Sequence, residues 1–178
     1  MPPSLVTCAF HTAVCAVACA ICVSTATERA RLENYVGPYR ILRLINRGGQ
    51  GSVYLGHDKR LHRRVAIKIY TLPTTRRARK QLLREAQLVA SIQSPKVVQI
   101  YDVIESSSHL ALVMEYVPGV SLEKKAAVLS LREKIEIIQK VLTALAYAHQ
   151  KKIIHRDLKL ENILVLETGE PKILDFGL

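Results

Sequence analysis

Thiols are missing from all but the start of this 178-residue chain, whose four cysteines, Cys8, Cys15, Cys19 and Cys22, fall within the first two dozen residues. The remainder can form no disulfide framework, which fits a reducing compartment. Acidic residues are scarce in the first half: residues 1–100 hold 4 Asp/Glu against 16 Lys/Arg, while residues 101–178 hold 11 against 10. The whole excess behind the formal charge of +11 therefore sits in the first hundred residues, which suits nucleic acid, an anionic membrane surface or a bound polyphosphate. No aromatic residue is interleaved with Arg76, Arg77, Arg79 and Lys80. That removes the usual stacking platform for bases, so the cations read as a solvated face and no nucleic-acid partner is expected.

Charge is absent altogether before Glu28, and from Leu5 to Val23 the chain is almost wholly apolar. The run is just long enough to span a membrane, which takes roughly 20 residues. It lacks the basic flank of a secretory signal, although Ser24-Thr25-Ala26 could pass for a cleavage site. Arg29, Arg31, Arg40 and Arg43 on its C-terminal side favour an anchor with the bulk of the chain in the cytoplasm. The equal alternative is a start assigned too far upstream, with residues 1–27 no part of the fold. Residues 28–38 read as a linker.

From Tyr39 onward the 49% apolar composition is patterned into strands, turns and helices, enough for one core. Tyr39 to Ile45 and Val53 to His57 read as a hairpin around Asn46-Arg47-Gly48-Gly49-Gln50-Gly51-Ser52-Val53, a turn whose backbone N–H groups could lie over phosphates. Val65-Ala66-Ile67-Lys68-Ile69 is a strand with one ammonium among aliphatics, which needs a counter-charge. Thr74 and Thr75 offer caps to a helix reaching about Ser91, with Leu82, Leu83, Ala86, Leu88, Val89 and Ile92 as its apolar stripe. Glu85 falls on that inward stripe, so its carboxylate requires a cation, and Lys68 is the expected partner. Strands follow at Val97–Ile104 and Leu110–Val117. Ser130-Leu131-Arg132-Glu133 forms a capping box opening a helix to about Gln150, with Ile135, Ile138, Val141, Leu142, Leu145 and Ala148 on one face. The octet His155-Arg156-Asp157-Leu158-Lys159-Leu160-Glu161-Asn162 then sits between that helix and the strand Ile163–Val165. It places a carboxylate, an ammonium and a carboxamide in one loop. Lys172–Leu174 is a last short strand entering Asp175-Phe176-Gly177.

The octet resembles the H-R-D-L-x-x-x-N catalytic loop of protein kinases, and the other parts occur in the order of that family: glycine hairpin, strand Lys68, helix Glu85 and the D-F-G triplet at Asp175. The resemblance runs from about Tyr39 to Leu178 and is to the Ser/Thr branch, on the strength of Lys159. It implies an α+β fold: a small lobe over 39–113 made of an antiparallel sheet plus one helix, a hinge over 114–119, and the start of a helical large lobe over 120–178. It implies ATP with Mg²⁺ or Mn²⁺ as cofactors and proteins bearing Ser or Thr as substrates. The implied catalytic residues are Asp157, Lys159, Lys68 and Glu85, with Asn162 and Asp175 as metal ligands. Asn46, Gly48, Gly51, Val53, Ala66, Lys68, Met114, Glu115, Val117 and Leu164 would surround the nucleotide, the backbone of Glu115 and Val117 bonding the adenine edge. Two departures stand out: Asn46 replaces the first glycine and Gln50 the usual aromatic tip. The chain ends at Leu178, before the segment that cradles a peptide substrate, so an incomplete catalytic domain is expected, prone to instability on its own. The competing expectation is a nucleotide-binding or regulatory remnant without catalysis.

Overall fold

Alternation along two central strands decides which side chains meet. The computed structural model describes residues 35–49, 51–70, 75–106 and 109–176; the apolar run 5–23, the four cysteines, Gln50, Thr74 and Gly177 lie outside them. In β4 (Arg63–Tyr70) and β6 (Leu110–Glu115) successive side chains face opposite ways. Val65, Ile67, Ala111 and Val113 enter one core with Val36 and Tyr39, while Ala66, Tyr70, Leu112 and Met114 enter another with Ala86 and Val117. By the same parity Lys68 shares the face of Ala66 and Tyr70, turned toward the second core. Both faces of these strands are covered, which is why they read as nearly continuous apolar runs.

A six-stranded sheet has the order β1-β2-β3-β4-β6-β5, antiparallel throughout. Its remaining strands are β1 (Tyr35–Val36), β2 (Tyr39–Gly48), β3 (Gly51–Asp58) and β5 (Ile100–Glu105). β1 falls in the expected linker 28–38 and pairs Val36 with Tyr39. Helix α1 (Arg76–Ala90) connects β4 to β5. It buries Ala86 and Val89, whereas Leu88 of the expected stripe is 56% exposed. The strand expected from Val97 starts only at Ile100, because residues 96–98 bond elsewhere: Val97 bridges to Ile173 and Val98 N–H donates to Ile173 O.

The second half is built on a three-stranded sheet of β7 (Gly119–Ser121), β8 (Ile163–Leu166) and β9 (Pro171–Ile173), with α2 (Leu122–Lys125) and α3 (Leu131–Gln150) beside it. The capping box at Ser130 and Glu133 is formed. Helix α3 buries Ile137, Val141, Ala144, Leu145 and Ala148, a stripe at i, i+4 and i+3 spacing. Ile135, Ile138 and Leu142, expected on that face, are exposed together with Leu131. They form a second stripe about 100° further round the axis. The helix is apolar on two sides, and periodicity alone could not say which is covered here. The observed α+β architecture, a curled antiparallel sheet followed by the start of a helical part, agrees with the expected fold class.

Gly56 is a tight point of this packing: a Cβ there would run into Ile67 Cδ1 and come 3.2 Å from Arg40 O, and Ile67 is fully buried. Gly56→Ala should therefore destabilise the fold by about 1–3 kcal/mol, the usual cost of overpacking, seen as a lower denaturant midpoint. An unchanged midpoint would show that Ile67 can move aside.

Candidate active site

Between the two sheets, charged side chains from four segments converge. Lys68, 5% exposed, is presented from the middle of β4 and reaches Asp175 Oδ1 at 2.9 Å. An ammonium this far from water requires such a partner. Asp175 follows β9 in the left-handed region, with φ of +52°, which turns it out of the strand's path. Beneath Lys68, Tyr70 places its ring 5.2 Å from Nζ. Burial above all, then the charges of Asp175 and Glu85, pushes the Tyr70 phenol far above its ordinary range, so it stays a neutral wall of the site.

The expected Lys68–Glu85 pair is not formed. Glu85 Oε1 instead lies 3.1 Å from Arg156 Nη1 and accepts from Gln81 Nε2 at 3.3 Å. The physical reason is local supply: the buried ammonium is satisfied by Asp175, while Arg156, 66% exposed, is the cation on the wetter side where the Glu85 carboxylate ends. Sequence spacing placed Glu85 on the correct helix face but could not choose between two cations, since Arg156 is 71 residues away.

The loop holding Asp157 is a tight turn. Asp157 N–H donates to His155 O at 2.9 Å, and Arg156 between them has φ of +65°, a conformation costing about 1–3 kcal/mol in a non-glycine residue and kept only where surroundings enforce it. The enforcing group is His155. Its Nε2–H donates to Leu174 O at 2.8 Å and its ring lies 4.6 Å from the Phe176 ring. Asn162 closes the loop. Its Nδ2 donates to Asp157 O at 2.8 Å and to Oδ2 at 3.3 Å, and its backbone O accepts from Leu174 N–H at 2.8 Å. Asn162 is thereby locked to the residue preceding Asp175. Lys159 Nζ is 3.1 Å from Asp157 Oδ2. That bond first, and the Asn162 contact with it, hold the Asp157 carboxyl below its usual range, and the same bond raises Lys159. Asp157 remains 66% exposed, open to an incoming molecule.

The oxygens Asn162 Oδ1 and Asp175 Oδ2 take part in none of these bonds. Two free oxygens of this kind, carboxamide and carboxylate, fit a hard divalent cation that keeps most of its ligands as water and phosphate. Among the described residues no cluster of three or more His, Cys, Asp or Glu stands ready to hold a metal by itself. On the apolar side, Val53, Ala66, Met114, Val117 and Leu164 pack in one cluster. Asn46 pairs with Val53, and Gly48 with Gly51, across the hairpin beside it. At Gly51, φ is +150° and a Cβ would strike Ile69 O, so only glycine closes that turn. Glu115 ends β6 at the edge of this cluster. Its side chain is bonded by Lys172, a contact that no sequence motif signalled.

Residues 39–178 match the family described as Protein kinase domain. The chain is 40% identical over 147 residues to the serine/threonine-protein kinase PrkC of Bacillus subtilis, covering 80% of this chain and 23% of that protein. It is 43% identical over 160 residues to a probable serine/threonine-protein kinase, pknA2, of Bifidobacterium longum, covering 85% and 21%. To the probable serine/threonine-protein kinase PknB of Lactococcus lactis it is 42% identical over 146 residues, covering 79% and 23%. The chain thus spans about a fifth of the length of these curated relatives.

The His155 contact predicts a pH dependence. Burial, its largest influence, lowers the imidazole below the ordinary 6.5. Nδ1 is enclosed with no partner to receive a second proton's bond. The unfolded chain therefore binds more protons than the folded one below that value, so stability falls as pH drops through and below about 6.5. Thermal unfolding at about pH 7.5 and about pH 5.5 should show the lower midpoint at the acid end, and His155→Gln should flatten the difference. An equal acid loss in the variant would assign it elsewhere.

Proposed function

Because the chain belongs to the protein kinase domain family, we propose that it forms the nucleotide-binding and phosphoryl-transfer part of a Ser/Thr protein kinase. It would move the γ-phosphoryl group of ATP to a hydroxyl of a protein Ser or Thr. The observation that carries this reading is one connected set of contacts: Asn162 bonds Asp157 and Leu174, and the adjoining Asp175 meets Lys68. A proton acceptor, two oxygen ligands and a buried ammonium are thereby held in one place by two rigid sheets.

In this reading the substrate hydroxyl oxygen forms the new bond to phosphorus as the bond from phosphorus to the β–γ bridging oxygen breaks, and ADP leaves. Asp157 orients the hydroxyl and finally takes its proton. Lys159 offsets charge developing on the transferring group, and Lys68 holds phosphate oxygens. Asn162 and Asp175 would hold Mg²⁺ or Mn²⁺, which supplies charge neutralisation on the phosphates. Val53, Ala66, Met114 and Leu164 offer an apolar slot for the base, Glu115 and Val117 its backbone partners, and Asn46, Gly48 and Gly51 the cover over the phosphates. Glu85, paired with Arg156, is read as a second carboxylate of the site.

Transfer of ³²P from γ-labelled ATP to a generic protein substrate tests this. Lys68→Met and Asp175→Asn should each lower the rate by at least ~10²-fold, the loss typical for one preorganised electrostatic group. Nucleotide binding with no transfer, unchanged by Asp157→Asn, would favour a regulatory role over catalysis.

A further inference from the structure

Three residues before Asp175, on strand β9, Lys172 sends its ammonium to the last residue of β6. Nζ lies 2.7 Å from both Oε1 and Oε2 of Glu115, and the two side chains are only 16% and 26% exposed. Glu115 belongs to the six-stranded sheet and Lys172 to the three-stranded one, so this pair ties the sheets together just where the backbone crosses between them. The Glu115 main chain is held as well: its N–H donates to Gln99 O at 2.9 Å, and Gln99 N–H donates to Glu115 Oε2 at 3.4 Å. The Gln99 segment is in turn bonded to β9, with Ile173 N–H to Lys96 O at 2.8 Å and Val98 N–H to Ile173 O at 3.0 Å. A closed circuit therefore runs from Glu115 through residues 99–96 to Ile173, and back through Lys172.

Lys172 is also the cross-strand partner of Leu164, which packs with Ala66, Met114 and Val117. One strand thus bears on both ends of the site, at Glu115 and Leu164 by way of Lys172 and at the polar end by way of Asp175. Partly covered ion pairs add little net stability, but they can specify one arrangement over others.

We propose that Lys172 is a positioning residue for the nucleotide: acting through Glu115, it fixes the backbone of residues 115–117 that takes the base edge, in register with Asp175 just beyond its own strand. The inference rests on the nucleotide-binding reading of the site. Removing the ammonium leaves the Glu115 carboxylate without its partner and frees that backbone, so the base end of the site loosens while the apolar slot and the charged groups remain.

Fluorescence titration of the chain with trinitrophenyl-ATP tests this, with the melting temperature of each variant measured alongside. Lys172→Met and Glu115→Gln should each weaken binding by about tenfold, the loss seen when a supporting contact one step from a site is removed. Lys172→Arg, which can still grip both carboxylate oxygens, should bind as the unaltered chain does. Lower melting temperatures with unaltered affinities would make the pair merely structural and overturn the proposal, as would a Lys172→Arg variant as weak as Lys172→Met. If the unaltered chain fails to bind the analogue, the nucleotide reading itself falls and this role with it; binding that ignores Lys172 overturns this role alone.

Discussion

A buried ammonium is the constraint around which the molecule closes. Strand parity sends Lys68 to the same face as Ala66 and Tyr70, where it is 5% exposed. A charge in that position demands an anion held at hydrogen-bond distance. Asp175 supplies it at 2.9 Å from just beyond the last strand of the other sheet, and the requirement propagates from there. Asp175 must follow β9 in a left-handed turn, the preceding Leu174 must be fixed, and both His155 and Asn162 bond to Leu174. The loop with Asp157 is thus anchored to the strand that neutralises Lys68.

Most of this was legible in the sequence because it depends on local pattern. A lone Lys among aliphatics in a strand announces a paired charge, a glycine-rich turn between alternating runs announces a hairpin, and Ser130 with Glu133 announces a helix start. All three stand in the structure. The octet from His155 to Asn162 was legible for a different reason: its residues are neighbours in sequence and in space, so their spacing already encodes the geometry of Asp157, Lys159 and Asn162.

What sequence could not supply is choice among distant partners. Glu85 lies where the helix stripe put it, yet it meets Arg156 rather than Lys68, because a carboxylate on a partly wet edge takes whichever cation the tertiary fold delivers. Helix α3 carries two apolar stripes, and only packing distinguishes Val141 and Ala144, which are covered, from Ile138 and Leu142, which are not. Residues 97–99 have strand-like composition but spend their hydrogen bonds on β9 and Glu115. The Lys172–Glu115 pair belongs to the same class: two ordinary residues 57 positions apart that acquire meaning only when the sheets meet.

Asn162 and Asp175, tied to Lys68 and Asp157, make up the proposed place for a metal-bound nucleotide. Calorimetric titration of ATP into the chain, with and without Mg²⁺, measures this. A single saturable site that tightens with Mg²⁺, and loses that gain in Asp175→Asn, is the predicted result; no saturable binding, or an affinity indifferent to both the ion and the substitution, would contradict it.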